Sequence, residues 1–225
     1  DAAMKLGEVG KQLLPESLHM VFTGNPGTAK TTVARLIGQV LKEKGILAVG
    51  DFFEVSRSDI IGEYVGHTAV KIRKLFERAK GSVIFIDEAY SIMDDNRKSF
   101  AYEALAMIVQ LMENNRGNTV VIFAGYPKEM KTFMDVNPGL MSRIAFHVEF
   151  PDYTSDELYQ IMLHFLYAKK VTILEPENEL LKQLISSKYE TLKNGNARQI
   201  RNLVDKMIQH LLCRYNTDID METCL

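Results

Sequence analysis

One segment of eight residues, Gly24 to Thr31, constrains the fold of this chain more than any other feature. It reads Gly-Asn-Pro-Gly-Thr-Ala-Lys-Thr and lies between an apolar run, 18–23, and a stretch of helical periodicity, 31–44. Glycine and proline turn the chain between a buried strand and a helix. In that context, successive backbone N–H groups and the helix N-terminus can surround a phosphate group. The pattern therefore predicts a strand–loop–helix unit that binds phosphate.

Individual residues of this loop have distinct expected roles. The Lys30 ammonium is expected to reach the β and γ phosphates of a nucleotide, and the Thr31 hydroxyl to bind Mg²⁺. Ala29 stands where the pattern usually has a second glycine. We expect the backbone there to tolerate a Cβ, the alternative being weaker phosphate binding. The expected nucleotide-binding residues of this segment are Gly24, Asn25, Pro26, Gly27, Thr28, Ala29, Lys30, Thr31 and Thr32.

The alternation of short apolar strands with amphipathic helices continues to residue 150. Further strands are expected at 52–55, 83–86, 120–124 and 144–150, with helices around 70–80 and 100–113 between them. Such alternation predicts an α/β fold with a parallel, doubly wound sheet. After residue 150 the strand signals stop and helical periodicity dominates. We therefore expect an α/β domain over 1–150 and a small helical domain over 151–225.

A second candidate site follows the apolar strand at 83–86, where Asp87 and Glu88 are adjacent. In a parallel sheet, the carboxyl end of this strand faces the same edge as the phosphate loop. Asp87 is expected to hold Mg²⁺ through water and Glu88 to polarise the attacking water, because phosphoryl transfer depends on positioning and charge neutralisation. The alternative is that both acids cap the following helix.

The phosphate loop and the acid pair together resemble the Walker motifs of AAA+ P-loop ATPases. Further segments resemble the branch of stage V sporulation protein K and the CbbX-type Rubisco activases: 64–69, 123–126, 137–140, 142–144, 150–153 and 195–198. The resemblance covers nearly the whole chain. It implies ATP and Mg²⁺ as cofactors, a P-loop NTPase sheet of strand order 5-1-4-3-2 with a helical lid, and a ring of usually six subunits.

Four further roles follow from the resemblance alone. Arg143 occupies the position of an arginine finger that enters the neighbouring subunit's site, and Arg198 matches the second sensor. Tyr126 aligns with the first sensor, which is usually an asparagine. For the two arginines the alternative is a surface salt bridge. The segment of the central-pore loop is Tyr64, Val65 and Gly66, whose alternative role is packing against the domain.

Composition narrows the functional classes. The chain has 225 residues and a net charge of −2. It therefore lacks the surplus of basic residues that would indicate a nucleic-acid partner. Its apolar runs are far shorter than the roughly 20 residues that span a bilayer. Because the chain has only two cysteines, we expect free thiols and a cytoplasmic protein. The leading expectation is a homo-hexameric, ATP-driven remodeller of an unidentified protein client. A nucleotide-dependent assembly switch with slow hydrolysis is the alternative, and a nucleic-acid motor is less favoured.

Overall fold

The computed structural model describes residues 17–62, 64, 66–93, 98–174 and 177–215. Its strands are β1 (His19–Gly24), β2 (Phe52–Val55), β3 (Val83–Ile86), β4 (Val120–Gly125) and β5 (Ile144–Phe150). Its α-helices are α1 (Lys30–Glu43), α2 (Arg57–Ile60), α3 (His67–Arg78), α4 (Lys98–Asn114), α5 (Pro127–Asp135), α6 (Pro138–Met141), α7 (Ser155–Ala168), α8 (Glu177–Ser187), α9 (Tyr189–Leu192) and α10 (Asn196–Tyr215). A 3₁₀ helix covers Ala89–Met93.

The strands form one parallel sheet in the order β2-β3-β4-β1-β5, which is the predicted order read from the other edge. The prediction of fold and strand order is therefore confirmed. In the ladder, Thr23 of β1 pairs with Gly125 of β4, and Ile86 of β3 pairs with Phe123. Because all strands run the same way, the carboxyl ends of β1, β3 and β4 lie at one edge of the sheet.

Alternate residues of the central strands enter two different apolar cores. Val21, Ile84 and Phe123 face a core formed with α3, α4 and α5. Phe22, Phe85 and Ile122 face the other core, to which α1 contributes. The period of two places successive side chains on opposite faces, and both faces are covered by helices. This explains why β3 and β4 read as unbroken apolar runs.

The described chain divides into two compact units. Of the described residues, the first contains 17–24 and Lys30–Phe150, and the second contains Asn25–Ala29 together with the helices after Pro151. The central part of the phosphate loop thus groups with the helical unit. Leu158, Met162, Ile185 and Ile200 lie in the apolar core of that second unit.

Two smaller expectations have different outcomes. Cys213 is disulfide-bonded, so the prediction of free thiols is wrong for this residue. Among the described residues, no helix is both long enough and apolar enough to cross a bilayer.

Candidate functional site

In the first unit, the phosphate loop begins where β1 ends and resumes where α1 starts. Lys30 is the first residue of α1, and its ammonium donates to the carbonyl of Gly24 at 2.8 Å. Thr31 follows in the first turn of the same helix. The start of a helix presents N–H groups without intrahelical partners, which favours negative charge at this position.

The acid pair follows β3, two strand positions away from β1 in the sheet. Glu88 has a positive φ of 47°, although it is not glycine, and its N–H donates to Asp87 Oδ1 at 3.0 Å. Its carbonyl accepts from the N–H of Ser91 at 2.7 Å, which begins the 3₁₀ helix. The left-handed conformation costs roughly 1–2 kcal/mol for an L-residue. The tight turn imposes this conformation and leaves the Glu88 side chain exposed.

Tyr90 is a residue of this edge that the sequence analysis missed. Its ring stacks on that of Tyr126 with centroids 5.9 Å apart and an interplanar angle of 29°. A Cβ on Gly125 would lie 2.8 Å from the Tyr90 ring, so glycine at the end of β4 allows this approach. Burial, and then the neighbouring charges of Glu88 and others, raise the pKa of Tyr90 to about 12.

Nothing in a linear pattern marks Tyr90 as part of the site. It lies two residues after Glu88, but its partner lies 36 positions later, at residue 126. Only the neighbouring positions of β3 and β4 in the sheet bring the two rings together. The expected first sensor, Tyr126, is the N-cap residue of α5 and lies beside the end of β3 through this stack.

Arg143 lies just before β5 and contacts its own chain. Its Nη1 donates to the carbonyl of Gly139 at 2.9 Å, and its Nε lies 3.1 Å from Glu113 Oε2. The Nε contact is an ion pair rather than a hydrogen bond, because the N–H does not point at the carboxylate. The side chain keeps 28% of its surface exposed. The structure therefore shows this arginine held by α4 and the turn at α6.

In the second unit, the segment Asn25–Ala29 has little freedom. Gly27 has a φ of 72°, and a Cβ there would lie 2.3 Å from the carbonyl oxygen of Gly195. Ala29 has a φ of 68°, so this residue carries its Cβ on a backbone in the left-handed region. Thr28 is buried, and its hydroxyl donates to the carbonyl of Asn25 at 2.8 Å. The alanine in place of the usual glycine is therefore a strained position.

Arg198 lies in the first turn of α10, and its side chain is exposed. Its N–H donates to the carbonyl of Gly195 at 3.0 Å, within the turn that packs on Gly27. The segment at Gly27 and the backbone of the expected second sensor are thus neighbours in this unit.

The expected pore loop lies before α3 in the first unit. Tyr64 is 66% exposed, and its ring meets that of His67 edge-on with centroids 5.3 Å apart. Gly66 has a φ of 81° and is the N-cap residue of α3. Val65 lies outside the described residues. An exposed tyrosine beside a left-handed glycine is compatible with a contact surface.

Comparison with known proteins identifies the class. The model of the ATPase family associated with various cellular activities (AAA) matches residues 20–152, and that of the AAA lid domain matches residues 154–222. These two matches cover most of the chain, which therefore belongs to the AAA ATPase family.

Within the family, three relatives refine the resemblance. The chain is 42% identical to protein CbbX of Cereibacter sphaeroides over 211 residues, 91% of this chain and 68% of that protein. It is 40% identical to stage V sporulation protein K of Bacillus subtilis, covering 91% of this chain and 65% of the relative. It is 43% identical to the chloroplastic ribulose bisphosphate carboxylase/oxygenase activase of Cyanidioschyzon merolae, covering 84% of this chain and 65% of that protein. The predicted branch is thereby confirmed, and the chain spans about two thirds of the length of these relatives.

Proposed function

We propose that this chain binds ATP and hydrolyses it, and that a ring of six copies uses the cycle to remodel a protein client. One observation carries the proposal. Lys30 and the acid pair Asp87–Glu88 follow β1 and β3, whose carboxyl ends lie at the same sheet edge with only β4 between them. Neighbouring strands are about 4.8 Å apart, so one bound nucleotide can contact both groups. Membership of the AAA family supports the same chemistry.

The proposed roles divide between binding and chemistry. Residues 24–32 bind the phosphates, with Lys30 neutralising the β and γ groups and Arg198 contacting them from the lid. Glu88 orients and polarises the attacking water, and Arg143 of a neighbouring subunit neutralises charge that develops on the γ phosphate. We propose 1–150 as the nucleotide-binding domain and 151–225 as the lid.

Mg²⁺ would be held by the Thr31 hydroxyl and, through water, by the Asp87 carboxylate. Both donors are hard oxygens, and Mg²⁺ usually keeps several waters and takes one or two protein ligands. In the described part of the chain, no cluster of three or more His, Cys, Asp or Glu side chains is arranged to hold a metal. A site of this kind therefore depends on nucleotide phosphates as further ligands. The ion would supply positive charge at the phosphates.

We propose a protein as the client. A relative named as a Rubisco activase supports a protein rather than a nucleic-acid client, in line with the net charge of −2. We propose that Tyr64 and Val65 grip an extended polypeptide, because an exposed aromatic side chain can contact chains of varied sequence.

Two variants separate binding from chemistry. Lys30→Ala should abolish nucleotide binding because it removes the ammonium that neutralises the phosphates. Glu88→Gln should keep ATP affinity within about twofold while lowering kcat by about 100-fold or more, the scale expected for loss of a base that acts in the transition state. Equilibrium binding of a fluorescent ATP analogue and steady-state phosphate release are the measurements.

Glu129 provides a matched control, because it is an exposed glutamate at the start of α5. Glu129→Gln should leave both measurements unchanged. Unaltered turnover in Glu88→Gln would remove Glu88 from the chemistry, and unaltered affinity in Lys30→Ala would exclude the proposed phosphate site.

A further inference from the structure

The side chain of Asn196 joins three separate segments of the second unit. It is fully buried, with 0% of its surface exposed. Its Nδ2 lies 3.2 Å from the carbonyl oxygen of Pro26 and 2.9 Å from Asp152 Oδ1, and its Oδ1 accepts from the N–H of Tyr153 at 2.9 Å. A third contact of Nδ2, to the carbonyl of Lys193 at 2.9 Å, fixes the amide from its own turn. Both ends of the amide are therefore satisfied without water.

The carboxylate of Asp152 connects this amide to the phosphate loop a second time. Asn25 Nδ2 donates to both Asp152 oxygens, at 2.9 Å and 3.0 Å. Asp152 thus accepts from Asn25 and from Asn196. Hydrogen bonds to a charged acceptor are roughly twice as strong as those between neutral groups.

Backbone packing restricts the same loop segment. The N–H of Ala197 donates to the carbonyl of Gly27 at 3.2 Å. A Cβ on Gly27 would lie 2.8 Å from the backbone nitrogen of Arg198. Asn196 itself has a φ of 48°, in the left-handed region that asparagine tolerates better than most residues. The residue type therefore suits both the backbone of the turn and the side-chain network.

We propose that Asn196 is a positioning residue for nucleotide binding. Through Pro26 and Asp152 it holds the loop segment Asn25–Ala29 in one conformation, so that the N–H groups of the loop are presented to phosphate together with Arg198. The inference rests on the proposed function, because it assigns a role within that same site. Asn196 is thereby added to the proposed site as a residue that contacts the loop rather than the nucleotide.

The test uses Asn196→Gly, because glycine retains the left-handed backbone and removes only the amide. Hydrogen exchange at the amides of residues 27–30 is measured in the nucleotide-free protein, and the Kd for ADP with Mg²⁺ is measured by equilibrium binding. We expect exchange to become at least about tenfold faster and the Kd to rise about tenfold, the scale of a lost hydrogen bond to a charged group. Asp152→Asn, a milder change, should shift both in the same direction by about threefold.

Ile185→Ala is the matched control, since Ile185 is fully buried in the apolar core of the same unit. It should lower the stability of the unit while leaving loop exchange and the Kd within about twofold of the wild type. Unchanged exchange in Asn196→Gly, or an equal change in Ile185→Ala, would overturn the positioning role. If the wild-type protein bound no nucleotide, the proposed function would fail, while the exchange measurement would still decide whether Asn196 positions the loop.

Discussion

Two single residues, Ala29 and Glu88, have left-handed backbones at the ends of candidate site segments. Their φ values are 68° and 47°. Residues held in sparsely populated conformations concentrate at functional sites, where the surrounding structure imposes them. Glu88 is held by the turn into the 3₁₀ helix, whereas Ala29 immediately precedes α1. The strain at Ala29 has a measurable consequence.

Ala29→Gly should leave the free energy of unfolding unchanged or raise it by up to about 1.5 kcal/mol. Glycine removes roughly 1–2 kcal/mol of left-handed strain, but it adds about 0.4–1 kcal/mol of unfolded-state entropy. Urea unfolding is the measurement. Ala145→Gly, at an exposed position of β5, is the control and should destabilise by about 0.5–1 kcal/mol. A similar loss for both variants would mean that Ala29 is not strained.

At the scale of elements, the ends of β3 and β4 are joined by the stack of Tyr90 on Tyr126. Tyr90→Leu should lower kcat for ATP by about threefold to tenfold, because an aromatic pair contributes about 0.5–1.5 kcal/mol beyond its buried area. Tyr90→Phe keeps the stack and should stay within about twofold of the wild type. Steady-state kinetics should show the loss in kcat rather than in KM, since we expect the stack to orient the sheet edge rather than to contact the base or ribose.

Tyr102→Leu is the control for this pair, because Tyr102 is 54% exposed on α4. It should leave kcat unchanged. Equal activity of Tyr90→Leu and the wild type would mean that the stack does not position the edge.

The side chain of His19 connects β1 to β4 and α4. Its Nδ1 accepts from the N–H of Val121 at 3.0 Å, and its Nε2 lies 3.2 Å from the carbonyl of Met112. Burial lowers the pKa of His19 below 6.5, although the Met112 carbonyl and the charge of Glu113 act in the opposite direction. Protonation would also break the bond from Val121, so the folded state keeps the ring neutral.

Stability should therefore fall as the pH drops below about 6.5, because the unfolded chain then binds a proton that the folded chain resists. Each such proton contributes at most about 1.4 kcal/mol per pH unit. In urea unfolding from pH 7.5 to 5.5, His19→Asn should reduce the pH dependence, even if the variant is less stable at pH 7.5. His147→Asn, at an exposed position of β5, should retain the wild-type dependence. Identical slopes in all three proteins would remove His19 as the cause.

At the scale of the whole molecule, the proposed role of Arg143 predicts that one subunit alone is not sufficient for hydrolysis. In this single chain it pairs with Glu113, and we propose that it completes the site of a neighbour in a ring. Specific ATPase activity should then rise with protein concentration as subunits associate. The measurement is the hydrolysis rate per molecule over a wide concentration range with Mg²⁺. A flat and measurable rate in a dissociated protein would mean that each subunit is self-sufficient.

Mixing two inactive variants tests the same point without changing concentration. In the proposed ring, Arg143→Ala would lack the finger and Lys30→Ala would lack the phosphate contact, so mixed rings would contain interfaces in which an intact site faces an intact finger. Mixing should restore part of the activity. Complete failure to restore activity, in mixed rings verified by native mass spectrometry, would favour a role of Arg143 within its own subunit.

Linear sequence patterns predicted the α/β fold and the candidate motifs, and the resemblance that those motifs carry implied the AAA+ class and the sheet order. The phosphate loop and the acid pair are contiguous segments, and each contains its own turn and strand signals. The apolar runs at 83–86 and 120–124 predicted strands. These features depend on residues close together in the chain, so they can be recognised without coordinates.

Only the tertiary structure revealed which distant residues support those motifs. Tyr90 meets Tyr126 because β3 and β4 are neighbours, and Asn196 reaches Pro26 across 170 positions. The strain at Ala29 and Glu88 is likewise a property of the folded backbone. Sequence determined the local chemistry because turns and strands follow from nearby side chains. Contacts between remote segments required the fold, since their energies depend on distances that no linear spacing encodes.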